Sequence, residues 1–470
     1  MYRLTIALII LFTNFSDFAH YTIVRILPII FFSAIIFQEL IIKKPKINFL
    51  NRNFCLLNIL AVILIISIII STRKDVSIDL RAFRILTFLS FVIAFFNTAF
   101  NYVKNNDLLT TFVNFAYKPL LFFLSINLFL FFLGFKASDY NIGQAVILSY
   151  FGLAIERVEF FLSPGINAYG AVLGIAFNLS LIGFGIVKQK RNIFLSGLII
   201  SLISLLLTDS RGAIIFPVII YCSIKFFFSN LKKPKLLWIV PIIGFVGPFL
   251  LLSTLLFLSQ TDYGAVVSRS SEDLATGNAR SIIWGIAFND FLAFKPEHHL
   301  FGYGEYGQYA AGLSQQWSYI FGDNENAEFM HPHNIFLSIA LDYGYFGLII
   351  FTLVQYSIIK AIIISWTSQR EVSYLLLGNI LYFNLAGITE TMFGFYYQNI
   401  VYLFFMINLF AFILRYFNKK NQSANVRSNQ IYPIPYSASG GTSFERSPIH
   451  AGLVQFRSGE EKQELSAANS

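Results

Sequence analysis

Residues 193–208 read IFLSGLIISLISLLLT and residues 212–228 read GAIIFPVIIYCSIKFFF, with only Asp209, Ser210 and Arg211 between them. Lys225 is the single charge in the two runs. A helix needs roughly 20 predominantly apolar residues to cross the hydrocarbon core of a bilayer. The pair therefore reads as a hairpin of two membrane helices joined by a tight polar turn. The same signature recurs on both sides of it, at 4–16, 21–42, 55–72, 86–103, 117–134, 143–161, 170–187, 236–258, 345–366, 372–390 and 397–416. A shorter apolar stretch at 334–342 reads as a helix lying beside the membrane or dipping into it. The expected fold is all-α: a polytopic helical membrane protein with about 12 transmembrane helices over residues 1–417. One long loop, 259–332, interrupts it and is expected to hold short helices. Residues 418–470 are polar, rich in Ser and Asn and without periodicity, and read as a solvated, disordered tail.

Composition agrees with this. Of 470 residues 56% are hydrophobic and 13% charged, against roughly 25% charged in a soluble domain. Mean hydropathy is +0.65. These values exclude a disordered chain, a disulfide scaffold and an ordinary cytosolic enzyme. Two cysteines, Cys55 and Cys222, sit in or beside apolar runs and make no framework. No small-residue cleavage site follows the first apolar run, so that helix is expected to be retained.

The net charge of +9 is a topology signal here and calls for no nucleic acid. Basic residues concentrate on the cytoplasmic side of membrane helices. Lys188, Lys190 and Arg191, then Lys232, Lys233 and Lys235, then Arg370, then Arg415, Lys419 and Lys420 mark cytoplasmic stretches. The 208–212 turn, the 259–332 loop and the 391–396 turn then face outward, and the tail is cytoplasmic. The long loop holds 9 acidic and 3 basic residues, as an exterior loop would. The first half of the chain conflicts with the rule. Lys43, Lys44, Lys46 and Arg52 claim the cytoplasm, as do Arg73, Lys74, Arg81 and Arg84, yet one span separates the two clusters.

An outward site must be assembled from few polar residues. His331 and His333, with Pro332 between them, end the long loop where the chain re-enters the apolar layer. A partly desolvated histidine there stays neutral and available as a base. Asn334 reads as the cap of the following helix. Arg211 in the hairpin turn and Arg280 in Asn278-Ala279-Arg280-Ser281 have plain readings as an interfacial anchor and as a partner of Glu272 or Asp273. Together on one side of a membrane they suit a phosphate-bearing substrate, which Arg binds bidentately. Asp209 either orients Arg211 or caps the turn. Arg157 joins the site or pairs with Glu156 and Glu159. Tyr303 and Trp317 offer rings for stacking on sugars or for loop packing. A His-x-His pair near Glu328 is a weak metal pattern, and no catalytic metal or other cofactor is expected.

At these residues the chain resembles the O-antigen ligases and O-antigen polymerases, membrane glycosyltransferases of bacterial surface-polysaccharide assembly. The likeness rests on Ser210-Arg211-Gly212, on Arg280-Ser281-Ile282-Ile283-Trp284 with Phe301-Gly302-Tyr303-Gly304, and on His331-Pro332-His333-Asn334 with Asp342-Tyr343-Gly344. Gly387-Ile388-Thr389-Glu390 adds a fourth block. It spans about residues 195–405. The resemblance implies a GT-C-like membrane fold in the bacterial plasma membrane with a periplasmic site. It implies a glycan donor on undecaprenyl pyrophosphate and, as acceptor, a second lipid-linked glycan (polymerase) or the lipid A core (ligase), with a chain-length regulator as a further partner. Arg211 and Arg280 match positions that hold the pyrophosphate, and His333 matches the proposed base. A composition rich in Phe, Ile, Asn and Lys, as an AT-rich polysaccharide cluster would encode, leans towards the polymerase. A flippase of lipid-linked sugars is the rival from another class. It would place its cations along a central cavity rather than at one outer loop.

Overall fold

The structure, a computed structural model, describes residues 2–13, 21–42, 52–70, 78–137, 145–163, 165–230, 235–259, 279–321, 327–394 and 400–415. Every element of the described residues is helical, apart from an isolated bridge between Lys136 and Phe160. In chain order the main helices are α1 (Tyr2–Thr13), α2 (Thr22–Ile36), α3 (Arg52–Ile70), α4 (Ile78–Val103), α5 (Leu108–Phe132), α6 (Ile166–Gly185), α7 (Arg191–Thr208), α8 (Arg211–Phe228) and α9 (Val240–Ser259). The loop that follows carries α10 (Arg280–Leu292) and α11 (Pro296–Phe301). The chain then forms α12 (Ile335–Ser365), α13 (Arg370–Ala386) and α14 (Ile400–Arg415). Seven helices are long and apolar enough to cross a membrane, or eight if the pair Lys235–Gly244 and Val246–Thr254, bent by 66°, is one span. α1, α14 and residues 58–70 of α3 are apolar but shorter. The tail expected over 418–470 lies outside the described residues.

Apolar side chains gain little by leaving lipid for one another, so packing and ring geometry must hold such helices together. Several of the phenylalanines serve here. Phe88 and Phe91 of α4 meet Phe405 and Tyr402 of α14 edge-on, at 4.9 and 5.0 Å between ring centres. Phe404 of α14 packs in turn against Phe351 of α12 and Phe383 of α13.

Polar contacts sort the helix ends into two sets. At one end, Arg3 reaches Gln38, Asn101 reaches Glu39, the Lys188 amide reaches Glu371, and Arg370 reaches the Ser229 carbonyl. At the other lie the 208–211 hairpin, the end of α3, the start of α4 and the long loop. The Glu305 amide bonds the Ser67 carbonyl (3.2 Å), and Arg84 of α4 forms an ion pair of 2.9 Å with Glu305.

The expected span at 143–161 is not a helix of spanning length. Residues 145–161 of the stretch 143–161 form a single helical turn, Val146–Ser149, and then irregular chain. The polar run Glu156, Arg157 and Glu159 suits no bilayer interior. Instead Val158 donates its amide to Leu207 O (2.9 Å) and Arg157 Nε donates to Thr208 O (3.1 Å), so the segment lies over the hairpin end. Losing this crossing reverses the direction of every helix before it. Arg52 starts α3 at the end opposite the hairpin, whereas Arg81 and Arg84 lie at the hairpin end, where buried Glu305 offsets the charge of Arg84.

α12 is broken at Gly344 (φ 62°, ψ −162°), which separates residues 335–343 from the membrane-spanning remainder and matches the short helix expected at 334–342. A Cβ at Gly344 would stand 2.5 Å from the Leu300 carbonyl carbon and oxygen. Glycine thus supplies both the left-handed φ and the space in which α11 docks.

Candidate active site at the hairpin end of the bundle

The His331-Pro332-His333 strap is held through its backbone. Gln308 Nε2 donates to Phe329 O (3.1 Å), Trp317 Nε1 to Met330 O (3.1 Å) and Trp284 Nε1 to Pro332 O (2.8 Å). Trp317 is fully buried, so of its two readings, sugar stacking and loop packing, the structure shows loop packing. Asn334 caps α12, accepting from the Phe336 and Leu337 amides at 2.9 and 3.0 Å. It also donates to Ile388 O (3.1 Å), while the Ile335 amide bonds Gly387 O (2.8 Å). These bonds stitch the strap to the turn that follows α13.

That turn brings Glu390 to the histidines. Its Oε2 accepts from His333 Nδ1 (3.1 Å) and its Oε1 from Arg280 Nη2 (3.0 Å). Arg280 Nε donates to the neighbouring Thr389 carbonyl (3.1 Å). One carboxylate therefore fixes both the proposed base and a proposed phosphate ligand. With the ring proton on Nδ1, the Nε2 lone pair of His333 is left for chemistry. Burial alone would raise the Glu390 carboxyl, but the charge and hydrogen bond of His333 and the Arg280 guanidinium outweigh it and hold the pKa down to about 2. His331 Nδ1 accepts from the His333 amide (3.1 Å) and from the Thr391 hydroxyl (3.0 Å). Burial, and then the neighbouring His333 and Arg280, hold His331 well below the ordinary histidine range, so it stays neutral. His333 itself has φ 47°, a left-handed conformation unusual for a residue other than glycine.

Arg211 belongs to a second group at the same end. It opens α8 and lies 3.4 Å from Asp209 Oδ2. Asp209 has φ 52° and its Oδ1 accepts from the Ile147 amide (3.3 Å). Arg157 grips the same turn through Thr208 O, and so holds the hairpin. Arg211 and Arg280 are each the first residue of a helix, where the helix dipole favours an anion beside the guanidinium. Tyr303 is drawn elsewhere: it stacks on His298 with ring centres 3.7 Å apart, and its amide bonds Leu341 O (2.9 Å).

Sequence reasoning quoted Glu390 but gave it no role. It paired Arg280 with Glu272 or Asp273, which lie outside the described residues, and put Glu328 beside the histidines. The signal was an acidic residue closing a largely apolar run, where an unpartnered carboxylate is costly. His331, His333 and Glu390 each offer one ligand atom within 4.8 Å of the others, the metal-type grouping found among the described residues. Both Glu390 oxygens accept from Arg280 and His333, and His331 Nδ1 accepts two hydrogen bonds, so a cation there would compete with these contacts.

Fold and site together define a polytopic helical membrane protein with a histidine, carboxylate and arginine cluster at one end of its bundle. Residues 196–352 match the family model described as O-antigen ligase, and through this stretch the chain carries a domain of the O-antigen ligase and polymerase family. The matched segment includes Arg211, Arg280, His331 and His333. None of the curated proteins compared with the chain matches it. The family supports a glycosyltransferase-type role in surface-polysaccharide assembly, with lipid-linked glycans as substrates.

Proposed function

We propose that the protein is a surface-polysaccharide polymerase, transferring a glycan from undecaprenyl pyrophosphate to a sugar hydroxyl of a second lipid-linked repeat. The observation that carries this reading is the single carboxylate joining His333 to Arg280. His333 Nε2 takes the proton of the acceptor hydroxyl as its oxygen attacks the anomeric carbon. The bond from that carbon to the pyrophosphate oxygen breaks, with inversion. Arg280 and Arg211, each at a helix start, offset the charge that builds on the leaving pyrophosphate. Glu390 keeps the imidazole in the useful tautomer and stabilises the imidazolium that forms. No metal is required in this scheme, because the guanidinium groups take the place of a Lewis acid.

The basic residues gathered opposite the site support the reading that it faces the periplasm at the bacterial plasma membrane, with the C-terminal tail in the cytoplasm. The second reading, a ligase that uses the lipid A core as acceptor, is favoured by the description of the matched family. Deleting the gene separates the two. A lipopolysaccharide capped with a single repeat supports the polymerase; loss of all O-antigen supports the ligase. Transfer by purified protein between lipid-linked oligosaccharides, without translocation, excludes a flippase.

A further inference from the structure

The end of α10 and the tip of α11 converge on the first residues of α12 beyond its break. Phe291 of α10 packs edge-on against Tyr345 (5.4 Å between ring centres), and Phe301 of α11 lies 6.2 Å from Phe346. The side chains next to these contacts face away from the protein. Leu292 is 57% exposed, Leu300 51% and Phe301 60%. Beyond the break, Phe346, Ile349 and Leu353 continue the exposed apolar surface down the membrane-spanning part of α12. In water such a rim would leave apolar surface uncovered at a cost in free energy. Residues 345–365 leave water for lipid along this face, and the rim is continuous with it.

We propose that the rim formed by Leu292, Leu300 and Phe301 is seated among the acyl chains of the outer leaflet, anchoring the long loop to the membrane surface at the break in α12. The loop then reaches the bilayer at two places, through the bundle and through this edge. Its occupant is bulk lipid rather than a partner protein, because the surface runs without interruption into a lipid-facing helix. The charged residues of the same segment, Lys295 and Glu297, lie at the start of α11, away from the tip. The inference is independent of the reaction assigned above.

The test uses the full-length protein with Cys55 and Cys222 replaced by Ser and a single cysteine placed at Leu292, Leu300 or Phe301. Each variant carries a nitroxide and is reconstituted in nanodiscs of phosphatidylethanolamine and phosphatidylglycerol. Collision of the label with oxygen and with a water-soluble nickel chelate is compared with labels at Ile349 and Glu297. Seating in lipid gives an oxygen-to-nickel ratio severalfold above that of Glu297 and close to that of Ile349. Quenching of a bimane at the same positions by dibrominated lipid gives a second reading that needs no nitroxide. A ratio equal to that of Glu297, with no quenching by brominated lipid, overturns the proposal. Protection that arises only on adding undecaprenyl pyrophosphate also overturns it, since the rim would then be a track for that lipid's tail.

Discussion

Glu390 Oε2 lies 3.1 Å from His333 Nδ1, across a chain separation of 57 residues. The bond joins the end of the long loop to the turn after α13. It also makes Nδ1 the nitrogen through which His333 is held. Replacing Glu390 by Gln removes the charge that favours the Nδ1 proton and stabilises the imidazolium. A loss of about 100-fold or more in turnover is expected in a transfer assay, with a smaller change in KM. Unaltered turnover would show that the carboxylate only holds the loop.

The same carboxylate carries a pH signature. Its pKa is held at about 2 in the folded protein, below the usual carboxylate value. Its contribution to stability is therefore fully present above pH ~4.5 and is lost as pH falls from there towards 2. Thermal melts in detergent across that window should show an acid-dependent loss in the wild type. The E390Q variant should lack that component.

Arg84 and Glu305 form a buried pair, with side-chain exposures of 14% and 2%. Removing one partner from such a pair costs roughly 3–5 kcal/mol because a charge is left buried. The R84A variant should melt well below the wild type, and R84A combined with E305L should regain most of the loss. Equal melting of the single and double variants would mean that the pair is not buried in the folded protein.

Much of the architecture was legible because apolar runs of spanning length are hard to read otherwise. The hairpin turn, the cap at Asn334 and the separate helix before Gly344 all follow from local chemistry. The error at 143–161 had a physical source, since hydropathy alone does not separate a crossing from an apolar segment laid over a helix end. The contact that ties the start of α4 to the long loop, Arg84 with Glu305, spans 221 residues. Local periodicity does not encode it. The site divides in the same way. His333 and Arg280 stand out in sequence, whereas Glu390 gains its meaning only when the turn after α13 folds against the strap.

Arg280 donates through Nε to a backbone carbonyl and through Nη2 to Glu390. Lysine has one ammonium group and does not reproduce this fork. The R280K variant should remain folded but lose about 100-fold in turnover, the scale expected for one charge-stabilising donor. R211K should act mainly on KM for the lipid-linked donor if Arg211 binds pyrophosphate in the ground state. Kinetics at varied donor concentration distinguish these outcomes.

The Glu390 oxygens and His331 Nδ1 are already hydrogen-bonded within the protein and the proposed transfer uses no metal, so activity should survive treatment with a chelator. Dialysis against EDTA, followed by assay with and without added Mg2+ or Mn2+, checks this. A loss restored by either cation would reassign the cluster as a metal site.

The most direct measurement is glycan transfer by purified His333→Ala protein, using a lipid-linked donor and acceptor, beside a check that the variant is folded and present in the membrane. A fall of at least about 100-fold, with the donor still bound, is the predicted result. Transfer at the wild-type rate would contradict the assignment of His333 as the base.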